Sequence, residues 1–215
     1  MLSTTSEPIP EAKITVIGKS QSGKSALFSR YVTETFSEPV KTIGKPFFLS
    51  NDILKSYLGA SFAQKVASGG KRQIRLKIWD TAGDERYQGL LPLYLRGSQA
   101  VMICFSVCDR HSFEQMESFL KLAQKDCSSD PYILLIGTKC DTQKESDQYE
   151  KRQVGYDEAE AFARSHGLHY IETSAKENRN VTEAFELVGK EMLGRTDIEL
   201  PEEASKKSKS SCSIF

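Results

Sequence analysis

Residues 18–25 read GKSQSGKS, set between the apolar run KITVIG (13–18) and an amphipathic stretch over 24–35. No other segment constrains the fold as tightly. The spacing fits G-x-x-x-x-G-K-[ST], in which a strand delivers the chain to a glycine-rich turn and a helix carries it away. Successive backbone N–H groups then point inward at an anion, at the positive end of the helix. In that arrangement Lys24 reaches the β- and γ-phosphates and the Ser25 hydroxyl ligates Mg²⁺. Gly18, Ser20, Gln21, Ser22, Gly23 and Ala26 complete the cradle and its exit into the helix. The segment predicts a nucleoside triphosphate site.

The rest of the chain keeps the same rhythm. Strands are expected at 13–18, 45–50, 72–80, 100–109, 132–139 and 168–174, and helices at 24–35, 86–95, 111–126, 157–166 and 178–193. Several strand segments are apolar nearly throughout, as parallel strands covered on both faces must be. Alternation of this kind predicts a doubly wound, three-layer α/β fold, which binds ligands at the carboxyl ends of its strands. The stretch 51–70 breaks the pattern. Ile53, Leu54, Tyr57, Leu58, Phe62 and Val66 recur at helical spacing, with Asn51 or Asp52 as cap and Gly69-Gly70 as stop, so an inserted amphipathic helix is expected there. Residues 1–11 are expected to be a flexible lead, 12–194 one domain, and the Ser-, Lys- and Glu-rich 195–215 a disordered tail.

Three further strand ends carry chemistry. WDTAGDERY (79–87) places Asp80 at the end of an apolar strand, where a carboxylate supports Mg²⁺, usually through water. Gly83 has no side chain in the way and offers its amide to the γ-phosphate. Asp84 can activate a water, hold a metal or cap the next helix. GTKCD (137–141) and ETSAK (172–176) end two more strands. Guanine presents two edge donors, N1–H and the 2-amino group, and Asp141 can accept both, with the Lys139 stem along the base plane. Beside them the small Ala175 lets a backbone amide approach the base oxygen, and Ser174 and Lys176 are expected to join it in the nucleotide site.

A net formal charge of zero gives no electrostatic footprint for nucleic acid. The five cysteines are scattered without a CxxC pair, which favours free thiols in a reducing compartment over disulfides or a zinc site. No apolar run approaches the roughly 18 residues of a membrane span. The last four residues, CSIF, fit C-a-a-X with Cys212 as the prenylated thiol. A terminal Phe points to geranylgeranylation, with Lys206, Lys207 and Lys209 as a short basic patch. One lipid plus such a patch gives reversible attachment to an anionic leaflet.

In this order, GKSQSGKS, WDTAGDERY, TKCD and ETSAK resemble the Ras superfamily of small GTPases, most closely its Rab branch, from about Ile14 to Leu193. RLKIW (75–79) and YLRGS (94–98) resemble Rab-type segments around the second switch. The resemblance implies a six-stranded, mostly parallel sheet with five helices, GTP/GDP as ligand and Mg²⁺ as cofactor. It implies GTP hydrolysis through Lys24, Gly83 and the residue at 84, and a switch that acts in vesicle traffic. TIG (42–44) resembles the first switch, which implies that Thr42 ligates Mg²⁺ and reads the γ-phosphate, and Phe36 sits where the family packs an aromatic on the base. Implied partners are an exchange factor, a GTPase-activating protein, effectors and a membrane, for a monomer that exchanges between cytosol and the cytoplasmic face of an intracellular or plasma membrane.

The departures are specific. Thr138 stands where the family usually has Asn, although Rho-type members carry Thr, and the C-a-a-X end is a Rab minority form. Gln21 is bulky for its place in the phosphate loop. Asp84 replaces the catalytic glutamine, and an ionised carboxylate accepts hydrogen bonds but cannot donate. It also sets a negative charge beside a triphosphate. Slow intrinsic GTP hydrolysis is therefore expected.

Overall fold

The computed structural model describes residues 9–36, 60–70, 72–127, 129–143 and 151–195. Its strands are β1 (Glu11–Ile17), β2 (Ala60–Ser68), β3 (Gln73–Thr81), β4 (Ala100–Ser106), β5 (Tyr132–Thr138) and β6 (His169–Thr173). Its helices are α1 (Lys24–Thr33), α2 (Leu91–Leu95), α3 (Arg110–Glu114), α4 (Met116–Asp126), α5 (Tyr156–Ser165) and α6 (Val181–Gly194). α3 and α4 abut at Gln115 and form one broken helix, so the layers hold five. Short 3-10 turns occupy Glu85–Leu90 and Cys140–Gln143.

The sheet order is β2-β3-β1-β4-β5-β6, with β2 antiparallel to β3 and every other pair parallel. Every position of β4 (AVMICFS) and β5 (YILLIGT) is buried, because helices cover both faces. Ala100, Met102 and Cys104 face the layer of α1 and α6, where Tyr31 stacks on Phe185 at 3.8 Å between ring centres. Val101, Ile103 and Phe105 face the opposite layer, with Leu95, Phe113, Met116 and Ala159. This is the α/β architecture the alternation predicts.

The expected helix at 51–70 is corrected over its second half. Ala60–Ser68 is a strand that pairs with β3 along its whole length, with Phe62 opposite Trp79 and Val66 opposite Arg75. The inward face is carried by small or long polar residues, Ala63, Lys65 and Ala67, while Gln64, Val66 and Ser68 point outward. Val66, assigned to a helical apolar face, is 39% exposed. Pairing satisfies the backbone groups of β3 on that side, which a helix cannot do. The β2–β3 hairpin is therefore short, closed over residues 69–72, with the Gly69 amide donating to the Arg72 carbonyl at 2.9 Å. The strand expected at 45–50 and the first half of the expected helix, 51–59, lie outside the described residues.

Two edges also shift. β1 already begins at Glu11, inside the lead expected to be flexible, because Glu11 pairs with Arg75 at 3.2 Å and with Lys77. Arg195, expected to open the tail, ends α6 and pairs with Glu191 at 3.6 Å and Asp130 at 3.5 Å.

Candidate functional site

The carboxyl ends of β1, β3, β4, β5 and β6 share one edge of the sheet, and every motif within the described residues lies along it. At the end of β1 the chain turns at Gly18, whose φ of +143° favours glycine and where an added Cβ would strike the Cys104 carbonyl. The loop then runs into α1, with Ser22 buried and Gln21 exposed at φ +65°. Lys24 is 4% exposed, and its ammonium donates to the Lys19 carbonyl at 2.7 Å. Burial lowers the Lys24 pKa, while Asp80 and Cys104 pull it back up. A buried cation held inside a loop of backbone amides is a ready partner for phosphate.

Asp80 is the penultimate residue of β3 and is 1% exposed. Burial pushes its carboxyl up to about 6, against the opposing pull of the Ser25 hydroxyl hydrogen bond and the Lys24 charge. One of its oxygens, Oδ1, is buried without any hydrogen-bond partner. An orphaned carboxylate oxygen beside a serine hydroxyl is a hard-oxygen donor set that suits Mg²⁺, an ion that prefers one or two protein ligands plus water and phosphate oxygens. Among the described residues no cluster of three or more His, Cys, Asp or Glu forms an all-protein metal cage. The Thr81 hydroxyl, a contact sequence reading missed, donates to the Val16 carbonyl at 2.8 Å and ties this strand end to β1. Gly83 packs so close to Lys24 Nζ and the Ser20 amide that a Cβ there would collide with both.

Asp84 is the N-cap of the turn Glu85–Leu90. Its Oδ1 accepts the Arg86 amide at 3.0 Å and Arg86 Nε at 3.0 Å, and its Oδ2 accepts the other arm of the same guanidinium at 2.9 Å. Of the roles open to Asp84, capping is the one its contacts fill, with an ion pair added.

The TKCD and ETSAK loops adjoin at the ends of β5 and β6, where Thr138 and Thr173 are register partners. Thr138 Oγ1 lies 2.6 Å from the Ser22 carbonyl and 3.0 Å from that of Phe105, so its one proton links the end of β5 to the phosphate loop. Lys139 follows at φ +63°, and Asp141 sits in the turn Cys140–Gln143. Ser174 is fully buried and closes its loop with Arg179, amide to carbonyl at 3.0 Å and 2.9 Å in the two directions. Arg30 of α1, which carries no sequence motif, reaches across to donate to the Ala175 carbonyl at 2.6 Å and the Lys176 carbonyl at 3.1 Å. Its guanidinium also lies 5.7 Å from the Phe36 ring centre. Arg152 clamps Glu172 with two bonds of 2.8 Å and steadies the strand that leads into ETSAK.

Arg30→Ala removes both carbonyl contacts of the 175–176 loop. GDP release is expected to speed up about fivefold, from two charge-assisted bonds at a partly exposed site worth about 1 kcal/mol together. Stopped-flow displacement of a fluorescent guanine nucleotide measures it, and an unchanged rate removes Arg30 from the base site. Thr42 and Cys212 lie outside the described residues.

A sequence model of the Ras family matches residues 13–194. The chain is 33% identical to mouse Ras-related protein Rab-17 over 185 residues, covering 86% of this chain and 77% of that protein. It is 31% identical to bovine Ras-related protein Rab-13 over 181 residues, covering 84% and 79%. Human Ras-related protein Rab-17 is 33% identical over 188 residues, covering 87% and 79%. Phosphate loop, acid-bearing β3 and paired loops after β5 and β6 thus stand in a matching sequence, and the chain belongs to the Ras family of small GTPases, in its Rab-like branch.

Proposed function

We propose that the protein is a membrane-anchored GTP/GDP switch in vesicle traffic, with slow intrinsic hydrolysis. The observation that carries the slow step is that position 84 holds a carboxylate, which accepts from Arg86 and caps its own turn and has no hydrogen to donate. A family glutamine at this position orients the attacking water and donates toward the developing charge. Asp84 is shorter and acceptor-only, and it spends both oxygens on its own turn.

The burial of Lys24 and the orphaned Asp80 oxygen support the phosphate and metal roles, and the family resemblance supports that of Thr42. Gly18, Ser20, Gln21, Ser22, Gly23 and Ala26 form the cradle and its exit, and Lys24 neutralises the β- and γ-phosphates. Ser25 and Asp80 would hold Mg²⁺, with Thr42 as its further ligand; when bound, that ion would neutralise charge on the phosphate oxygens and lower the barrier to transfer of the γ-phosphoryl group to water. Gly83 offers its amide to the γ-phosphate. Asp141 and Lys139 read guanine beside Thr138, Ser174, Ala175 and Lys176, and Phe36 flanks the base. With GTP bound, Thr42 and Gly83 order both switches into an effector surface, and hydrolysis releases them.

No helix among the described residues is long and apolar enough to cross a membrane. Anchoring is assigned to a prenyl group on Cys212 with the basic patch before it. In fractionated cells Cys212→Ser is expected to move the protein from membranes to cytosol, and retention on membranes contradicts the anchor. Because Asp84 is so completely engaged, a second reading is a GTP-bound scaffold that does not cycle. Protein purified without added nucleotide separates the two, since a GTP/GDP mixture supports the slow switch and GTP alone supports the scaffold.

A further inference from the structure

Asp84 follows Gly83, and Gly83 rests against Lys24 and the Ser20 amide. The Asp84 Cα is therefore one residue, about 3.8 Å, from the Cα of the γ-phosphate contact. A carboxylate so placed either turns toward the phosphates and repels them, or turns elsewhere. Here it turns elsewhere. Both oxygens are taken by Arg86, at 3.0 Å and 2.9 Å, in the bidentate form that fixes direction as well as charge. Arg86 itself reaches into solvent, its side chain 73% exposed against 29% for Asp84.

We propose that Arg86 is a positioning residue for GTP hydrolysis, which clamps the Asp84 carboxylate outward and keeps its charge off the γ-phosphate. Position 84 has no water-orienting amide, and the arginine two residues on pairs with the anion that stands in its place. The clamp acts chiefly on the GTP state, since GDP has no γ-phosphate to repel. Salt weakens it, as both partners are partly exposed.

This inference rests on the reading that Asp84 occupies the hydrolysis site. Its test is a cycle of full-length variants: wild type, Arg86→Ala, Asp84→Asn and the double variant. Each is measured at low salt for single-turnover GTP hydrolysis and for the ratio of GTP to GDP affinity. Arg86→Ala is expected to slow hydrolysis three- to tenfold and to lower the GTP preference by a similar factor, with both losses shrinking at high salt. Arg86→Lys recovers part of each. In the neutral Asp84→Asn background Arg86→Ala changes neither quantity.

Equal slowing in both backgrounds, or no effect in the wild-type background, overturns the clamp. The parent reading fails separately: if Asp84→Gln brings no acceleration while Arg86→Ala still lowers GTP preference only when Asp84 is present, the clamp stands and the hydrolysis assignment falls. If Asp84→Gln accelerates but the cycle shows no coupling, the clamp falls and the assignment stands.

Discussion

Lys24→Ala is expected to weaken Mg²⁺-dependent GTP binding at least about 100-fold, with the fold retained. Lys24 is 4% exposed and its ammonium donates to the Lys19 carbonyl inside the loop, so the residue brings a full positive charge to where the loop would hold the β- and γ-phosphates. Truncating one partner of a buried, hydrogen-bonded charge pair costs about 2–5 kcal/mol, or roughly 30-fold to several thousandfold in affinity. Asp80 worsens the effect, because the same truncation removes the cation that holds down its raised pKa. Lys24→Arg is not expected to rescue binding, since the larger head has no room at a nearly closed position and Gly83 packs directly against the ammonium. Titration with a fluorescent GTP analogue, alongside circular dichroism, checks both points. A dissociation constant within threefold of wild type contradicts the assignment.

Asp141→Asn is expected to reverse base preference. Guanine offers two donors to the carboxylate, N1–H and the 2-amino group, and an amide at residue 141 answers one of them with a donor of its own. The mismatch leaves a desolvated N–H unpaired at about 1–3 kcal/mol, and the charge-assisted strength of the other bond is lost as well. Together these predict a fall in GTP affinity of about 100-fold. Xanthine carries a carbonyl where guanine has its amino group, so the amide donor regains a partner and XTP becomes the better ligand. Competition between the two nucleotides on wild type and variant reads the outcome. Continued preference of Asp141→Asn for GTP removes Asp141 from base recognition.

How much of this was legible in the sequence depended on whether a residue acts through its neighbours along the chain or across the sheet. GKSQSGKS carries its signal in spacing, and the structure places its Lys24 and Ser25 beside Asp80 of WDTAG. β4 and β5 were legible because continuous burial leaves a continuous apolar run. β2 was not, because its inward face is built from Ala63, Lys65 and Ala67, while its bulkier residues happen to fall at helical intervals.

Arg30 left no local signal. Its partners are carbonyls about 145 residues away, and only the packing of α1 beside the β6 loop brings them together. Thr138 was read as a departure from the family's Asn, and the structure adds its bond to Ser22, which a hydroxyl can make as well as an amide. The Asp84–Arg86 pair could have been found. The cap was among the roles the sequence offered Asp84, and an arginine two residues after a capping aspartate lies within reach of its carboxylate, so the ion pair was legible there too.

The central claim is that Asp84 limits the chemical step. Glutamine at position 84 restores a donor toward the developing charge, an interaction of the kind worth about 10²–10³ in rate. It also gives up the cap, at about 0.5–2 kcal/mol, which loosens the turn that must hold the glutamine in place. The net expectation is an acceleration of at least about tenfold. The direct measurement is single-turnover release of phosphate from preloaded GTP, with Mg²⁺ present and no activating protein, for wild type and Asp84→Gln side by side. Faster release from the variant by about a decade or more is the predicted result; equal or slower release contradicts the account.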